Sequence, residues 1–509
     1  MTTVVSRAGR REWLGLAVLA LPTMIIGLDL TVLHLAAPHL SADLRPSSAQ
    51  LLWIVDIYGF LVAGFLITMG TLGDRIGRRR LLMIGGLAFA VASVLAAYST
   101  SAEMLIVTRG LLGIAGATLM PSTLSLISNM FQDPRQRRLA IAVWMTNFMI
   151  GGAAGPLIGG ALLEHFWWGS VFLIGVPAMM VLLIAGPFLL PEYRSDGAGR
   201  PDPASVAMAM VAILGIVYAI KEFAANGAGV IPALTAVVGI VAGTAFVRRQ
   251  RVLPQPLLDL ALFARRAFSV ALGAQAMALF VLAGVQFFVL QYLQLVLGFS
   301  PLQAGLWSVP AMVAGVVGTL TAPTLAQWVR AERIIAAGLA LSVIGLAMLT
   351  QFGTSTQPWA VALAFAAIQG SLNPAVAMTY DIIIASAPPE RAGTASGTAE
   401  TGSELGLALG VGILGSVGTA VYRSQVTADS LPPELAQPSI DAVRDTLGAA
   451  VVIADALPDD VAAGVLDVAR QAFTAGVQAV GVMSIGAVLV VAAIVAGALR
   501  DQRDSPRRG

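Results

Sequence analysis

The chain has 509 residues, 57% of them hydrophobic and 11% charged, with a formal net charge of +2 and no cysteine. A soluble domain carries roughly 25% charged residues, so this composition excludes an ordinary soluble protein. The missing cysteines exclude disulfides, thiol nucleophiles and cysteine metal sites, and the near-neutral balance gives no reason to expect a nucleic-acid partner.

Apolar runs between charge clusters approach the roughly 20 residues needed to cross a bilayer. They predict fourteen transmembrane helices near residues 13–36, 51–72, 81–100, 104–127, 139–163, 170–190, 204–221, 230–247, 268–290, 302–326, 334–351, 358–384, 394–420 and 475–499. Arg7, Arg10 and Arg11 lead straight into the first of these without a small-residue cleavage site, so no cleavable signal peptide is expected. The seventh run ends in Tyr218-Ala-Ile-Lys221-Glu222 and holds the chain's one lysine. With both termini and alternate loops taken as one side, 24 of the 30 basic residues fall there. Arg45, Lys221, Arg423, Arg444 and Arg470 fall opposite, and Arg109 lies within a span. The positive-inside rule then predicts a multi-pass inner-membrane protein with both termini in the cytoplasm. Segment 422–474 is too polar to span and is expected to form a small exterior cap.

Charges at membrane depth usually face a bundle interior or a water-filled path. Asp29, in the outer half of the first span, is the first of them. Asp56 and Arg109 lie a turn or two inside the second and fourth spans, at a comparable level. An Arg–Asp pair can lock helices together. Equally, burial raises a carboxylate's pKa while a neighbouring arginine lowers it, and that balance suits a protonatable group. Glu400 and Glu404, in "GTASGTAETGSELG", are four apart and share a helix face. Asp381, near the cytoplasmic end of its span, reads as interfacial. In "GGAAGPLIGG", Gly151, Gly155 and Gly159 recur every four residues, which permits close helix packing, and Pro156 should bend the helix. His34, His39 and His165 lie near outer ends. With no P-loop, no H-E-x-x-H and no triad-like set, neither an enzyme nor a metal or other cofactor is expected.

Several of these segments together resemble the major facilitator superfamily. "GTLGDRIGRRR" is similar to its signature cytoplasmic loop, and "RGLLGIAGATLMPS" to the fourth-helix motif whose arginine is associated with proton coupling. "GGAAGPLIGG" resembles the fifth-helix motif of antiporters. "LDLTVLHLAAP" and "LLWIVDIYGF" resemble first- and second-helix signatures of the fourteen-helix drug:proton antiporters. "TVLHLAAP", "LLEHFWWGSVFL" and "AETGSELG" narrow the likeness to bacterial exporters of quaternary ammonium compounds, dyes and viologens, with fluoroquinolone and ethidium exporters among them. The second-half counterpart of the loop, "LAQWVRAERI", lacks the pattern.

The resemblance implies an all-α fold of two six-helix bundles with two inserted helices. Its boundaries are an N-terminal bundle over 1–195, the insertion over 196–260 and a C-terminal bundle over 261–509. It also implies a proton-coupled exporter of lipophilic cations, working as a monomer by alternating access, with protons, cationic drugs and membrane lipid as partners. Asp29, Asp56, Arg109, Glu400 and Glu404 are the implied coupling and binding residues. Gly73, Asp74, Arg75, Gly77 and Arg78, with Gly151, Gly155, Pro156 and Gly159, are the implied gate. Trp53, Tyr58, Trp144, Phe148, Phe287 and Tyr292 are candidate cavity aromatics for cation–π contacts. Export of a lipid, a peptide or an endogenous antibiotic is the alternative, and a non-transporting sensor or channel a more distant one.

Overall fold

In lipid every backbone polar group must be satisfied within its own segment, so apolar runs of this length become helices. The computed structural model describes residues 8–194, 202–253, 256–387 and 392–504 and contains fourteen helices long and apolar enough to cross a membrane. They are α1 (Arg10–Leu44), α2 (Ser48–Ile76), α3 (Arg78–Ala97), α4 (Ala102–Met130), α5 (Pro134–His165), α6 (Ser170–Leu189) and α7 (Pro203–Asn226). The remainder are α8 (Val230–Val252), α9 (Arg266–Val296), α10 (Pro301–Leu325), α11 (Ala331–Leu349), α12 (Pro358–Ala385), α13 (Thr394–Gln425) and α14 (Asp459–Asp504). An even number of crossings brings both ends to one side, called here the terminal side; the other is the far side.

Local chemistry sets the ends. Ser47 and Ser300 accept hydrogen bonds from the backbone N–H groups of Gln50 and Gln303, whose side chains reach back in reciprocal capping boxes. Asp202 caps α7 and receives two hydrogen bonds from Arg249 at the end of α8, at 2.9 and 3.0 Å. Arg249 pulls its carboxyl down from the ordinary 3.8 to about 2. A depressed carboxylate contributes stability above its unfolded pKa and loses it only as pH falls through the folded value. The α7–α8 tether therefore survives mild acid.

Helices α1–α6 pack together, as do α9–α14. In the first bundle the tightest crossing is α1 on α5: a methyl at Gly151 would collide with the Met24 carbonyl, and one at Gly27 with that of Phe148. The inserted α7 packs on α8 and on α2, and also on the far-side part of α13, so it touches both bundles. Contacts between the bundles gather toward the far side. Gln294 of α9 donates to the Leu35 carbonyl of α1 at 3.2 Å, and Gly160 of α5 meets Leu302 at the start of α10. Gly448, in a short helix over Leu447–Ala454, rests on Ser41 at the far end of α1.

Three sequence expectations need correction. Segment 422–474 is not a separate cap throughout: α13 runs to Gln425 and α14 starts at Asp459, leaving short helices between. Asp459 and Asp460 sit in the first turn of α14, where acids favour a helix start, and "VAAGVLDVARQAF" continues it into the membrane. Asp74, two residues beyond the expected end of the second span near residue 72, belongs to the last turn of α2. Only Gly77 separates α2 from α3, with φ +115°, a left-handed conformation that suits glycine. Lys221, counted above as a far-side loop charge, is 2% exposed inside the protein. Of the expected domain boundaries, 195/196 lies outside the described residues and 260/261 falls inside the short helix Leu260–Phe263.

The α1–α5 crossing generates a prediction. Gly151→Leu forces a side chain into backbone and should destabilise the protein by about 1–3 kcal/mol, the usual range for overpacking. The measurement is the midpoint of fluorescence-detected size exclusion after heating, and it should fall by several degrees.

Candidate functional site

A cavity of about 280 Å³ lies between the bundles, walled by α1, α2, α4 and α5 on one side and α9, α10, α12 and α13 on the other. Leu279, Leu282, Met149, Met312, Phe148 and Phe365 make most of the wall apolar, and Gln286, Gln369 and Asn373 add neutral polar groups. Charged groups reach it from four positions only among the described residues: Asp29, Asp56, Arg109 and Glu404.

Arg109 is held on α4 against the interior. Its Nη1 lies 2.7 Å from Asp29 Oδ2, and its Nε donates to the Ile54 carbonyl at 3.2 Å. The guanidinium also lies over the Tyr58 ring at 4.7 Å and the Phe172 ring at 5.8 Å. With the side chains of Arg109 and Asp29 only 2% and 9% exposed, the pair is screened from water. Gly27, two residues before Asp29 on α1, lets α5 approach, while Arg109 reaches across from α4.

Asp56 does not pair with Arg109. Its partner is Lys221 of the inserted α7, whose Nζ is 2.9 Å from Oδ1 and 2.8 Å from Oδ2. Trp53 covers the ammonium, with its ring centre 3.9 Å from Nζ. Behind the pair stands Gly412 of α13, where an added methyl would be 2.9 Å from Asp56 Oδ2. Gly412 lies in a π-helical turn over Gly410–Leu414, an irregularity common at functional positions. Lys221 is the residue that sequence reasoning missed. The available signal was one lysine among arginines, placed inside an apolar run and not in the loop beyond it.

Glu404 is 2% exposed, its Oε2 has no hydrogen-bond partner, and no cation pairs with it among the described residues. Its backbone lies beside Gly59 of α2, so it faces the junction of the bundles. Glu400, one turn nearer the terminal side, is half-buried and does not line the cavity, and it also lacks a cationic partner among the described residues. Asp381 is exposed at the terminal end of α12.

The aromatic candidates divide. Tyr58 and Phe148 line the cavity. Trp53 serves Lys221 instead, and Trp144 donates its Nε1–H to Thr123 Oγ1 between α4 and α5 at 3.1 Å. Phe287 packs edge-on against His34 at 5.9 Å, and Tyr292 donates its hydroxyl to the Gly353 carbonyl beside Phe352. His39 lies further along α1, while His165 ends α5.

On the terminal side, Arg78 pairs with Asp74 at 2.6 Å and reaches the Pro121 carbonyl of α4. Arg79 reaches the Pro187 and Leu190 carbonyls and Glu192, clasping the end of α6, while Arg75 is exposed. Gly73 lies against the Arg78 side chain. Gly151, Gly155 and Gly159 face α1, whereas the Pro156 carbonyl meets Gly305 of α10 in the other bundle.

A profile of the Major Facilitator Superfamily matches residues 19–411. The multidrug efflux pump LfrA of Mycolicibacterium smegmatis is 42% identical, covering 98% of this chain and 98% of its own length. The methyl viologen resistance protein SmvA of Salmonella typhimurium is 37% identical over 95% of this chain and 97% of that one. Among solved structures, an inward-facing bacterial homologue of the human lysosomal transporter Spinster superposes with a TM-score of 0.65. It is 18% identical, covering 96% of this chain and 98% of that one, a likeness of fold.

Breaking one side of a buried pair strands a charge and costs about 3–5 kcal/mol. Arg109→Ala should therefore lower the unfolding midpoint sharply. Asp29→Asn combined with Arg109→Gln, which strands nothing, should lose much less. Thermal unfolding of the purified variants checks the order.

Proposed function

The chain belongs to the major facilitator superfamily, a family of transporters, and from that premise we propose that it is a proton-coupled multidrug exporter of lipophilic cations. The observation that carries the reading is Glu404, a buried carboxylate with no cationic partner among the described residues, on the wall of an apolar cavity between the bundles. A carboxylate in such a place is stable either protonated or facing a cation. It therefore exchanges one for the other. The apolar wall suits a lipophilic body, and the Tyr58 and Phe148 rings face the same space.

The distribution of arginine supports cytoplasmic termini in the inner membrane. The far side is then the exterior, and the contacts gathered there close the cavity to the outside. A cation arriving from the cytoplasm or inner leaflet meets Glu404 ionised, with Glu400 one turn nearer the entrance. When the bundles rock about their contacts and the cavity opens outward, a proton from outside neutralises Glu404 and the cation leaves. Arg109 and Asp29 link α4 to α1 beside this acid and carry the change in charge to the first bundle. Pro156 and the glycines of α5 supply the bend and close contacts about which the bundles move. Asp74, Arg78 and Gly77 hold α2, α3 and α4 together as that motion occurs. The relatives named above, an efflux pump and a viologen resistance protein, favour drug-like cations over other cargo.

Everted vesicles with an imposed pH gradient test the proposal. Ethidium should accumulate with the wild-type chain and stop when the gradient is collapsed. Glu404→Gln should reduce the rate at least tenfold at normal expression, and Asp29→Asn should also uncouple transport. Gradient-driven export of a native metabolite without any cationic dye would favour the other substrate classes. The absence of saturable flux would remove the transporter mechanism altogether.

A further inference from the structure

The cavity contains more acid than it leaves exposed to charge. Its lining charges are Asp29 from α1, Asp56 from α2, Arg109 from α4 and Glu404 from α13; α5, α9, α10 and α12 contribute none. Arg109 compensates Asp29 from within the wall. Lys221 is not part of the wall. It approaches Asp56 from behind, out of the inserted α7, and contacts both carboxylate oxygens. The Trp53 ring covers the ammonium, and Gly412 backs the pair closely. The ammonium is thus held on Asp56 from behind the wall. His34, also on the wall, is an imidazole and supplies no acid; two carboxylates are cancelled one for one, and a single carboxylate is left to face a cation when Glu404 is ionised.

We infer that Lys221 is a specificity-determining residue: by cancelling Asp56 it limits the cavity to one net negative charge and so fits it to monovalent cations. This rests on the cation-exporter reading above. A dication in a low-dielectric site keeps one positive charge without a counterpart, and in such surroundings that charge is strongly unfavourable. Without Lys221 the cavity would hold two available acids, matched to two charges. Tying α7 to α2 does not itself require ions, because an apolar pair of similar volume holds helices at least as well. The charge therefore has a consequence that packing does not explain.

The test uses the purified full-length chain in nanodiscs, with ethidium as the monovalent probe and methyl viologen, read by displacement of ethidium fluorescence, as the divalent one. Lys221→Met should raise the ratio of viologen to ethidium affinity at least tenfold. Lys221→Arg, which keeps the charge, should leave the ratio within twofold of wild type. Asp56→Asn with Lys221→Met, in which both charges are gone and the balance returns, should bring the ratio back to the wild-type range. A monodisperse Lys221→Met protein with an unmoved ratio overturns the inference. So does a double variant that shifts as far as Lys221→Met, since packing would then be the cause. If Lys221→Met does not fold, Asp56→Asn decides: it leaves an extra positive charge, so viologen should weaken at least tenfold more than ethidium, and equal weakening overturns the inference. A wild-type chain that binds neither probe overturns the cation-exporter reading itself, and the inference with it.

Discussion

An ionised side chain inside a membrane protein must be compensated, and that requirement organises the centre of this molecule. Taking a carboxylate from water into a low-dielectric interior is so unfavourable that it pairs, coordinates or takes up a proton. Asp29 and Asp56 meet the requirement with Arg109 and Lys221. Glu404 has no cationic partner among the described residues, and in the proposed function a proton or a cargo cation takes that place. The rest of the structure can be understood as support for those three acids. Glycines bring α1 against α5 beside Asp29, and Tyr58 and Phe172 shield the guanidinium. A helix outside the two six-helix bundles supplies the second cation.

That last point gives the inserted helices a physical place in the fold. α7 is anchored at its terminal-side end by the Asp202–Arg249 bridge to α8 and near its far end by the Lys221–Asp56 pair. Between these points it packs on α2 of one bundle and α13 of the other. A helix in contact with both bundles responds to any change in their angle. The π-helical turn of α13 at Gly410–Leu414 lies where the ion pair meets that helix, so backbone irregularity and buried charge coincide.

Much of this was legible in the sequence because membrane burial leaves coarse signals. Fourteen apolar runs became fourteen spans, and Asp29 and Arg109, both at bilayer depth, lie against each other. What was not legible depended on distance in three dimensions. Asp56 and Arg109 share a level, yet a partner from a helix 165 residues away claims Asp56 instead. Lys221 looked like a loop charge because hydropathy averages over a window and cannot see that one lysine is buried. The pair Glu400 and Glu404 shares a helix face, but only the helix's rotation against α2 decides which of them reaches the cavity. The polar first turns of α14 escaped because a helix extending beyond the apolar stretch lacks the signal that marks a span.

The central claim is that one uncompensated acid exchanges one proton for one cation. Proton release on ligand binding measures it directly. Purified chain in weakly buffered solution, at a pH where the cavity acid is protonated, is titrated with ethidium while a pH indicator records the protons set free. The account predicts close to one proton released per ethidium bound, and none from a Glu404→Gln protein that still folds. Release that is undiminished in that variant, or absent from the wild type while ethidium binds, would contradict it.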